Sequence, residues 1–171
     1  MKKIIIQLKE KYHEYQHIDH GLEMDDEKKD AHFLTLKEKD TIDDIEKLYR
    51  KITFLAYKKT YSDDWYQYVP GEVKKTINRG INTRKKFGEE DLGQPSEKYL
   101  DSTNLGELMI LLEQKKVWQA INKYFACSIN DLKHNWSYYS LLRHAKAHNS
   151  PIPDKSAKTL WLASMKFVKD W

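Results

Sequence analysis

The sequence predicts an all-α fold. Its 171 residues include only 6 Gly and 4 Pro, which suits helices that are joined by a few short loops. Apolar side chains recur every three or four residues in several segments, as they do along one face of a helix. No alternating run of β-branched residues lies between turn pairs, so signals for strands are nearly absent. The length and the 40% hydrophobic content are enough for a proper core.

Three helices are predicted in the first half of the chain. The first covers residues 2–16, where apolar residues follow helical spacing. The second begins near Thr41, because the sequence TIDD offers a threonine N-cap. Pro70 is well placed to start the third, which Gly88 would stop. Residues 88–101 contain two glycines and a proline and are predicted to form a loop.

Capping residues also mark the helices of the second half. Asn104 is a predicted N-cap, with Glu107 at the position that completes a capping box. Ser128 is predicted to cap a helix that runs to about Ala147. A proline-containing loop then precedes a final amphipathic helix at 155–171.

The net charge of +4 is unevenly distributed along the chain. The segment GEVKKTINRGINTRKKF at 71–87 has six basic residues and a single acidic one, Glu72. Such a block attracts polyanions over about 8–10 Å. It fits a solvated helix face or a nucleic-acid contact surface, and a membrane surface less well. The basic residues, which are the predicted RNA-binding set, are Lys74, Lys75, Arg79, Arg84, Lys85 and Lys86.

The sequence HEYQH at 13–17 fits the H-E-x-x-H pattern of zinc peptidases. Only 12 residues precede His13, which leaves no room for a sheet edge that would hold a peptide substrate. His20 stands where the longer form of the pattern has glycine. We therefore reject a peptidase and predict no metal cofactor. A solvated helix face and adventitious metal binding through His13 and His17 both remain open.

The bulk features predict a soluble, cytoplasmic protein with no membrane contact. Cys127 is the single cysteine, so the chain forms no internal disulfide, in keeping with a reducing compartment. The N-terminal segment has only three consecutive apolar residues, and no apolar run approaches about 18 residues.

The strongest candidate for a functional site is the segment SYYSLLRHAKAHNSPIPD at 137–154. It places Arg143 and His148 five residues apart near the end of a helix. On a regular helix that spacing separates two side chains by about 140°. They would converge if the helix frayed at His148, or a second copy related by two-fold symmetry would complete the site. The alternative is that Arg143 caps its own helix and His148 is structural.

This segment resembles the HEPN superfamily (higher eukaryotes and prokaryotes nucleotide-binding domains). The mark of that superfamily is R-x4-6-H, often with a polar residue after the arginine, and Arg143, His144 and His148 match it. The resemblance extends over residues 41–168. We therefore predict an N-terminal helical extension at 1–40 and a HEPN-like helical domain at 41–171.

The resemblance implies a HEPN-like helical bundle that forms a two-fold homodimer, with two Arg–His pairs facing one basic cleft. Members with an intact motif are mostly ribonucleases that need no metal. Arg143 would hold the phosphate oxygens, and His148 would move a proton. His144 and Asn149 would orient the pair or the substrate, and Lys146 would contribute charge.

We therefore expect a metal-independent endoribonuclease, without a cofactor, that acts in a defence or toxin-type system. RNA, such as tRNA or mRNA, is the expected partner, and an antitoxin or sensor protein encoded elsewhere is a further one. The 2′-hydroxyl would attack the neighbouring phosphate, a step that requires RNA and excludes DNA. The alternative is a non-catalytic HEPN module that binds nucleic acid or a partner protein.

Overall fold

A computed structural model describes residues 1–16, 34, 36–88 and 93–152 of the chain. These residues form an all-α structure without a strand, as the sequence predicts. The predicted final helix at 155–171 lies outside the described residues. In the described part, no helix is both long enough and apolar enough to cross a membrane.

The described residues form six α-helices and three short 3₁₀ segments. The helices are α1 (Lys2–Gln16), α2 (Leu36–Tyr61), α3 (Gly71–Lys86), α4 (Leu105–Leu112), α5 (Lys115–Ile121) and α6 (Ile129–His148). The 3₁₀ segments are Ser62–Tyr68, Glu97–Ser102 and Asn122–Tyr124. The longest helix, α2, packs against α1, α4, α5 and the first two 3₁₀ segments. It therefore forms the centre of the fold.

The predicted helices at 2–16, after Pro70 and after Ser128 are confirmed by α1, α3 and α6. The predicted cap at Thr41 is wrong, because α2 begins earlier, at Leu36. The Thr41 hydroxyl donates instead to the carbonyl oxygen of Lys37 at 2.9 Å. This bond to the preceding turn lets a threonine stay inside a helix.

Helix α2 runs across the predicted boundary between residues 40 and 41. Its neighbour α1 buries Ile5, Leu8 and Tyr12, and α1 packs along α2. The hydroxyl groups of Tyr12 and Tyr49 are 2.8 Å apart and share a buried hydrogen bond. The N-terminal helix therefore shares one core with the rest of the described chain.

Capping boxes fix the starts of α4 and α6. The Glu107 amide donates to Asn104 Oδ1 at 3.0 Å, and the Asn104 amide donates to Glu107 Oε2 at 2.8 Å. The same reciprocal pair joins Ser128 and Asp131 at the start of α6. A cap of this kind stabilises a helix by about 1 kcal/mol. Both predicted capping residues are confirmed.

Trp136 joins α6 to α4 and α2. Its indole Nε1 donates to the carbonyl oxygen of Leu105 at 2.8 Å. Its ring meets the Tyr49 ring edge to face, with centroids 4.5 Å apart. A buried indole needs such a hydrogen bond to its polar edge, so this contact sets the position of α6 against the start of α4.

The loop predicted at 88–101 is wrong in its last part, because residues 97–101 belong to the 3₁₀ turn Glu97–Ser102. Leu100 is fully buried, and its carbonyl oxygen accepts from Arg50 Nε at 3.1 Å. These contacts with the core hold the segment in an ordered turn that propensity alone does not predict.

Gly80 allows this turn to approach α3 closely. A Cβ at Gly80 would lie 1.8 Å from Ser102 Oγ and 2.3 Å from Ser102 Cβ. We expect Gly80→Ala to lower the free energy of unfolding by about 1–2 kcal/mol, because overpacking outweighs the better helix propensity of alanine. Urea denaturation measures this difference. Gly71→Ala is the matched control, since a Cβ there meets no atom within 4 Å. Equal stability of the two variants would contradict the prediction.

Candidate active site

A surface pocket of about 250 Å³ lies between the end of α6 and the start of α4. Its position brings together three residues of the predicted motif, Arg143, His144 and His148. The residues that line the pocket are Asn104, Leu105, Gly106, Ser140, Arg143, His144, Ala147 and His148.

Helix α6 continues through His148 without fraying and ends there. Asn149 follows in the left-handed conformation, with φ 46° and ψ 41°. The Ser150 amide donates to the carbonyl oxygen of Ala145 at 3.0 Å, which closes the last turn. Arg143 and His148 nevertheless both line one pocket of one chain.

The two histidines of the motif lie one helical turn apart, on the same face of α6. Their ring centroids are 4.3 Å apart, and the ring planes are inclined by 44°. Both residues are exposed. The pocket therefore presents two neighbouring imidazole groups to solvent.

Arg143 is held in place by a buried carboxylate on α2. Its Nε donates to Glu46 Oε2 at 3.1 Å. Only 7% of the Glu46 side chain is exposed, whereas 42% of the Arg143 side chain is exposed. The contact thus orients a solvent-facing arginine from a fixed position in the core.

Glu46 also binds a second arginine, Arg50, through its other carboxylate oxygen. Arg50 donates further hydrogen bonds to the carbonyl oxygens of Leu100, at 3.1 Å, and Thr103, at 3.0 Å. A buried carboxylate is stable only when it is paired and hydrogen-bonded. Glu46 meets that condition by bridging Arg50 and Arg143.

The pairing with Glu46 uses only one edge of the Arg143 guanidinium group. Within the described part of the chain, its two terminal nitrogens make no hydrogen bond. A guanidinium group has a planar fork of donors that matches the oxygens of a phosphate. Arg143 can therefore hold Glu46 and a ligand oxygen at the same time.

Tyr139 lies on α6 one turn before Arg143. It is buried, and its hydroxyl donates to the carbonyl oxygen of Ile42 on α2 at 2.8 Å. Burial, reinforced by the nearby carboxylate of Glu46, raises the pKa of the Tyr139 hydroxyl well above its ordinary value. The tyrosine thus stays protonated and remains a hydrogen-bond donor that fixes α6 beside α2.

The two other predicted supporting residues lie outside the lining of the pocket. The Lys146 ammonium group forms an ion pair with Asp43 on α2. Asn149 Oδ1 accepts a hydrogen bond from Lys39 Nζ at 2.9 Å. Both contacts fasten the end of α6 to α2, so the structure shows these residues positioning the helix that carries the site.

The basic residues of α3 fall into two groups, and none of them lines the pocket. Lys74 donates to the carbonyl oxygen of Gln67 at 2.7 Å, and Arg84 donates to that of Lys98 at 3.0 Å. The other four are exposed: Lys75, Arg79, Lys85 and Lys86.

Three of these exposed cations follow one face of α3. Lys75, Arg79 and Lys86 are separated by four and seven residues, about one and two helical turns, which places them on the same face. These three side chains have no hydrogen bond or ion pair with any other residue that the structure describes. They form an unpaired stripe of positive charge, called the α3 basic stripe below.

His13, the first histidine of the H-E-x-x-H pattern, does not line this pocket. His13 is exposed on α1, while His17 and His20 lie outside the described residues. Among the residues described, no group of three His, Cys, Asp or Glu side chains is arranged to hold a metal ion.

For Glu46 and Arg50, four residues apart, the sequence favours an ordinary helix pair over a role near the active site. The pair forms, and Glu46 also accepts a hydrogen bond from Arg143 of the pocket. A more specific signal was present, because Glu46 directly follows Ile45 and precedes Tyr49 on the face of α2 that faces the core. A charged residue within a predicted apolar face needs a partner, and here the partner is Arg143.

In comparisons with models of protein families, with curated proteins and with solved structures, no match to this chain was found. The residues of the pocket and their chemistry are therefore the basis for a functional assignment.

Proposed function

We propose that this protein is a metal-independent endoribonuclease whose active site is the pocket at the end of α6. The observation that carries the proposal is that Arg143 and His148 line one solvent-open pocket, with Arg143 oriented by buried Glu46. The resemblance of the motif around Arg143 to that of the HEPN superfamily supports the same conclusion.

The pocket holds the groups that RNA cleavage by internal attack requires. The 2′-hydroxyl oxygen forms a bond to the adjacent phosphorus, and the bond from phosphorus to the 5′-oxygen breaks. One proton leaves the 2′-hydroxyl and one reaches the 5′-oxygen. His148 serves one of these transfers, and His144, 4.3 Å away between ring centroids, serves the other. The products carry a 2′,3′-cyclic phosphate and a 5′-hydroxyl.

Arg143 stabilises the charge that builds up on the phosphate oxygens during this reaction. Its terminal N–H groups supply the donors, while the bond from Nε to Glu46 keeps the group from rotating away. Donors that are fixed before the reaction stabilise a transition state most effectively. This arrangement explains why a buried carboxylate lies behind an exposed arginine.

The wider biological assignment rests on the HEPN resemblance. We propose that the protein cleaves tRNA or mRNA in the cytoplasm, in a defence or toxin-type system. A HEPN-like domain, a homodimer and an antitoxin or sensor protein are parts of the same proposal.

Product analysis tests the proposed chemistry. Purified protein in EDTA is incubated with a mixture of tRNA and single-stranded RNA, and in parallel with DNA of matched sequence. We expect cleavage of RNA alone, with 2′,3′-cyclic phosphate and 5′-hydroxyl ends. Intact RNA in the presence of folded protein, or ends with a 5′-phosphate, would refute the proposal.

A second candidate is a module that binds RNA without cleaving it. The α3 basic stripe favours this function, because its unpaired cations lie outside the pocket and need no catalytic group to bind phosphates. Binding by a folded protein that leaves RNA intact would identify this module.

Binding of RNA to the α3 basic stripe is tested by its dependence on salt. We expect a variant with alanine at Lys75, Arg79 and Lys86 to bind single-stranded RNA more weakly. We also expect the slope of log affinity against log salt to fall by about 2, since about 0.7 counterion is released per contact. Fluorescence anisotropy of labelled RNA measures both quantities.

The matched control removes the same charge from exposed lysines of another surface. It carries alanine at Lys115, Lys116 and Lys123, which lie on α5 and the following turn. Equal loss of affinity in the two triple variants would show that net charge alone attracts RNA, and would refute a specific role for the stripe.

A further inference from the structure

His144 and His148 form a pair that is suited to bind a metal ion. They are exposed and lie one turn apart on α6, with ring centroids 4.3 Å apart and ring planes inclined by 44°. Neither ring makes a hydrogen bond to another residue of the described chain. Imidazole is the commonest metal ligand among side chains, and two of them on one helical face act as a chelate.

The spacing of the rings is close to that of two imidazoles on one ion. Zinc lies about 2.0–2.1 Å from a histidine nitrogen. This places each ring centre roughly 3.2 Å from the ion, so two rings at a right or tetrahedral angle have centres about 4.5–5.2 Å apart. The observed distance between the centroids is 4.3 Å, which is close to the distance that one shared ion requires.

The surroundings of the pair are compatible with a cation, despite the adjacent arginine. Glu46, 3.1 Å from Arg143 and shared with Arg50, offsets part of the charge of Arg143. The pair also lies in the last turns of α6, where the helix dipole favours positive charge. Ser140, one turn earlier, lines the same pocket. Its hydroxyl donates to the carbonyl oxygen of Trp136 at 3.1 Å, which leaves oxygen lone pairs directed elsewhere.

We propose that His144 and His148 bind one ion of the zinc, nickel or copper class, and that the bound ion reversibly inhibits the site. Nitrogen ligands favour these metals over magnesium and calcium. Two protein ligands leave the remaining coordination positions to water or Ser140. The metal site itself rests only on the histidine pair, whereas its inhibitory role rests on the proposed ribonuclease function.

Inhibition follows from the chemistry of the imidazole nitrogen. A nitrogen that donates its lone pair to a metal no longer accepts a proton from the 2′-hydroxyl. The ion also occupies the space in front of Arg143 where the phosphate would lie. Metal-independent cleavage and inhibition by zinc are therefore two consequences of one arrangement of residues.

Isothermal titration of the metal-free, full-length protein with zinc chloride tests the site. The variants are His144→Ala, which breaks this pair, and His13→Ala, which breaks the other pair of histidines spaced four residues apart. We expect wild type and His13→Ala each to bind a zinc ion at this site. We expect His144→Ala to bind that ion at least tenfold more weakly. Equal zinc binding by wild type and His144→Ala would overturn the metal site.

Cleavage assays with wild-type protein test the inhibitory role separately. We expect zinc at saturating concentration to suppress the cleavage rate at least tenfold, EDTA to restore it, and magnesium at the same concentration to leave it unchanged. Bound zinc with an unchanged rate would overturn the inhibitory role alone. Zinc binding through His144 by a protein that cleaves no RNA in EDTA would overturn the proposed function and the inhibition, while the metal site would stand.

Discussion

Replacement of Glu46 by alanine is expected to lower the free energy of unfolding by about 3–5 kcal/mol. The variant would leave the guanidinium group of Arg50, whose side chain is only 14% exposed, without its carboxylate partner. It would also release Arg143 from α2. We therefore expect both a loss of stability in urea denaturation and a loss of RNA cleavage under conditions where the variant is still folded.

Two variants on the same helix separate the buried network from general effects of charge. Glu46→Gln keeps the size of the side chain and one acceptor oxygen, so we expect a smaller loss of stability. Asp44→Ala removes a carboxylate that pairs with Lys11 and Lys47 at the surface, and we expect a cost of at most about 1 kcal/mol. A Glu46→Ala variant as stable as Asp44→Ala would show that Glu46 does not hold the arginines together.

Replacement of Arg143 by lysine is expected to slow RNA cleavage by about 10²–10³-fold. A lysine keeps the positive charge but has a single ammonium group in place of the planar fork. It can pair with Glu46 or hold the phosphate, but it cannot orient both as arginine does. Single-turnover rates at saturating RNA measure the effect on the chemical step.

Two controls apply to the Arg143→Lys variant: its free energy of unfolding, and the replacement of another cation on the same helix. Arg143 is 42% exposed, so the lysine variant is expected to keep most of its unfolding free energy. Lys133→Ala removes a cation from the same helix outside the pocket, where Lys133 pairs with Glu113, and its cleavage rate should stay near that of wild type. Similar rates for Arg143→Lys and wild type would remove Arg143 from the active site.

The helices were predictable where local signals were specific. Asn104 and Ser128 begin α4 and α6 because their side chains complete capping boxes with residues three positions later. Thr41 also has a side-chain oxygen that could cap a helix, but its hydroxyl donates to a carbonyl oxygen of the preceding turn inside α2. Local sequence does not distinguish these two uses of a threonine hydroxyl, since the outcome depends on whether the residues before it can continue the helix.

The candidate site was predictable only in the part that is contiguous in sequence. Arg143, His144 and His148 lie on one helix, so spacing and resemblance indicated them together. Glu46 is separated from Arg143 by 97 positions, and its contact depends on how α6 packs across α2. Gly106 enters the pocket for a similar reason, because Trp136 fixes the start of α4 against α6. Such tertiary contacts leave no local pattern.

We propose that the pocket at the end of α6 cleaves RNA. Single-turnover cleavage in EDTA by His148→Ala and His13→Ala, beside wild type, is the decisive experiment, because each variant removes one exposed histidine from a helix. We expect His148→Ala to lose about 10²–10⁴-fold in rate and His13→Ala to cleave like wild type. Equal rates for His148→Ala and wild type would contradict the assignment of the active site to this pocket.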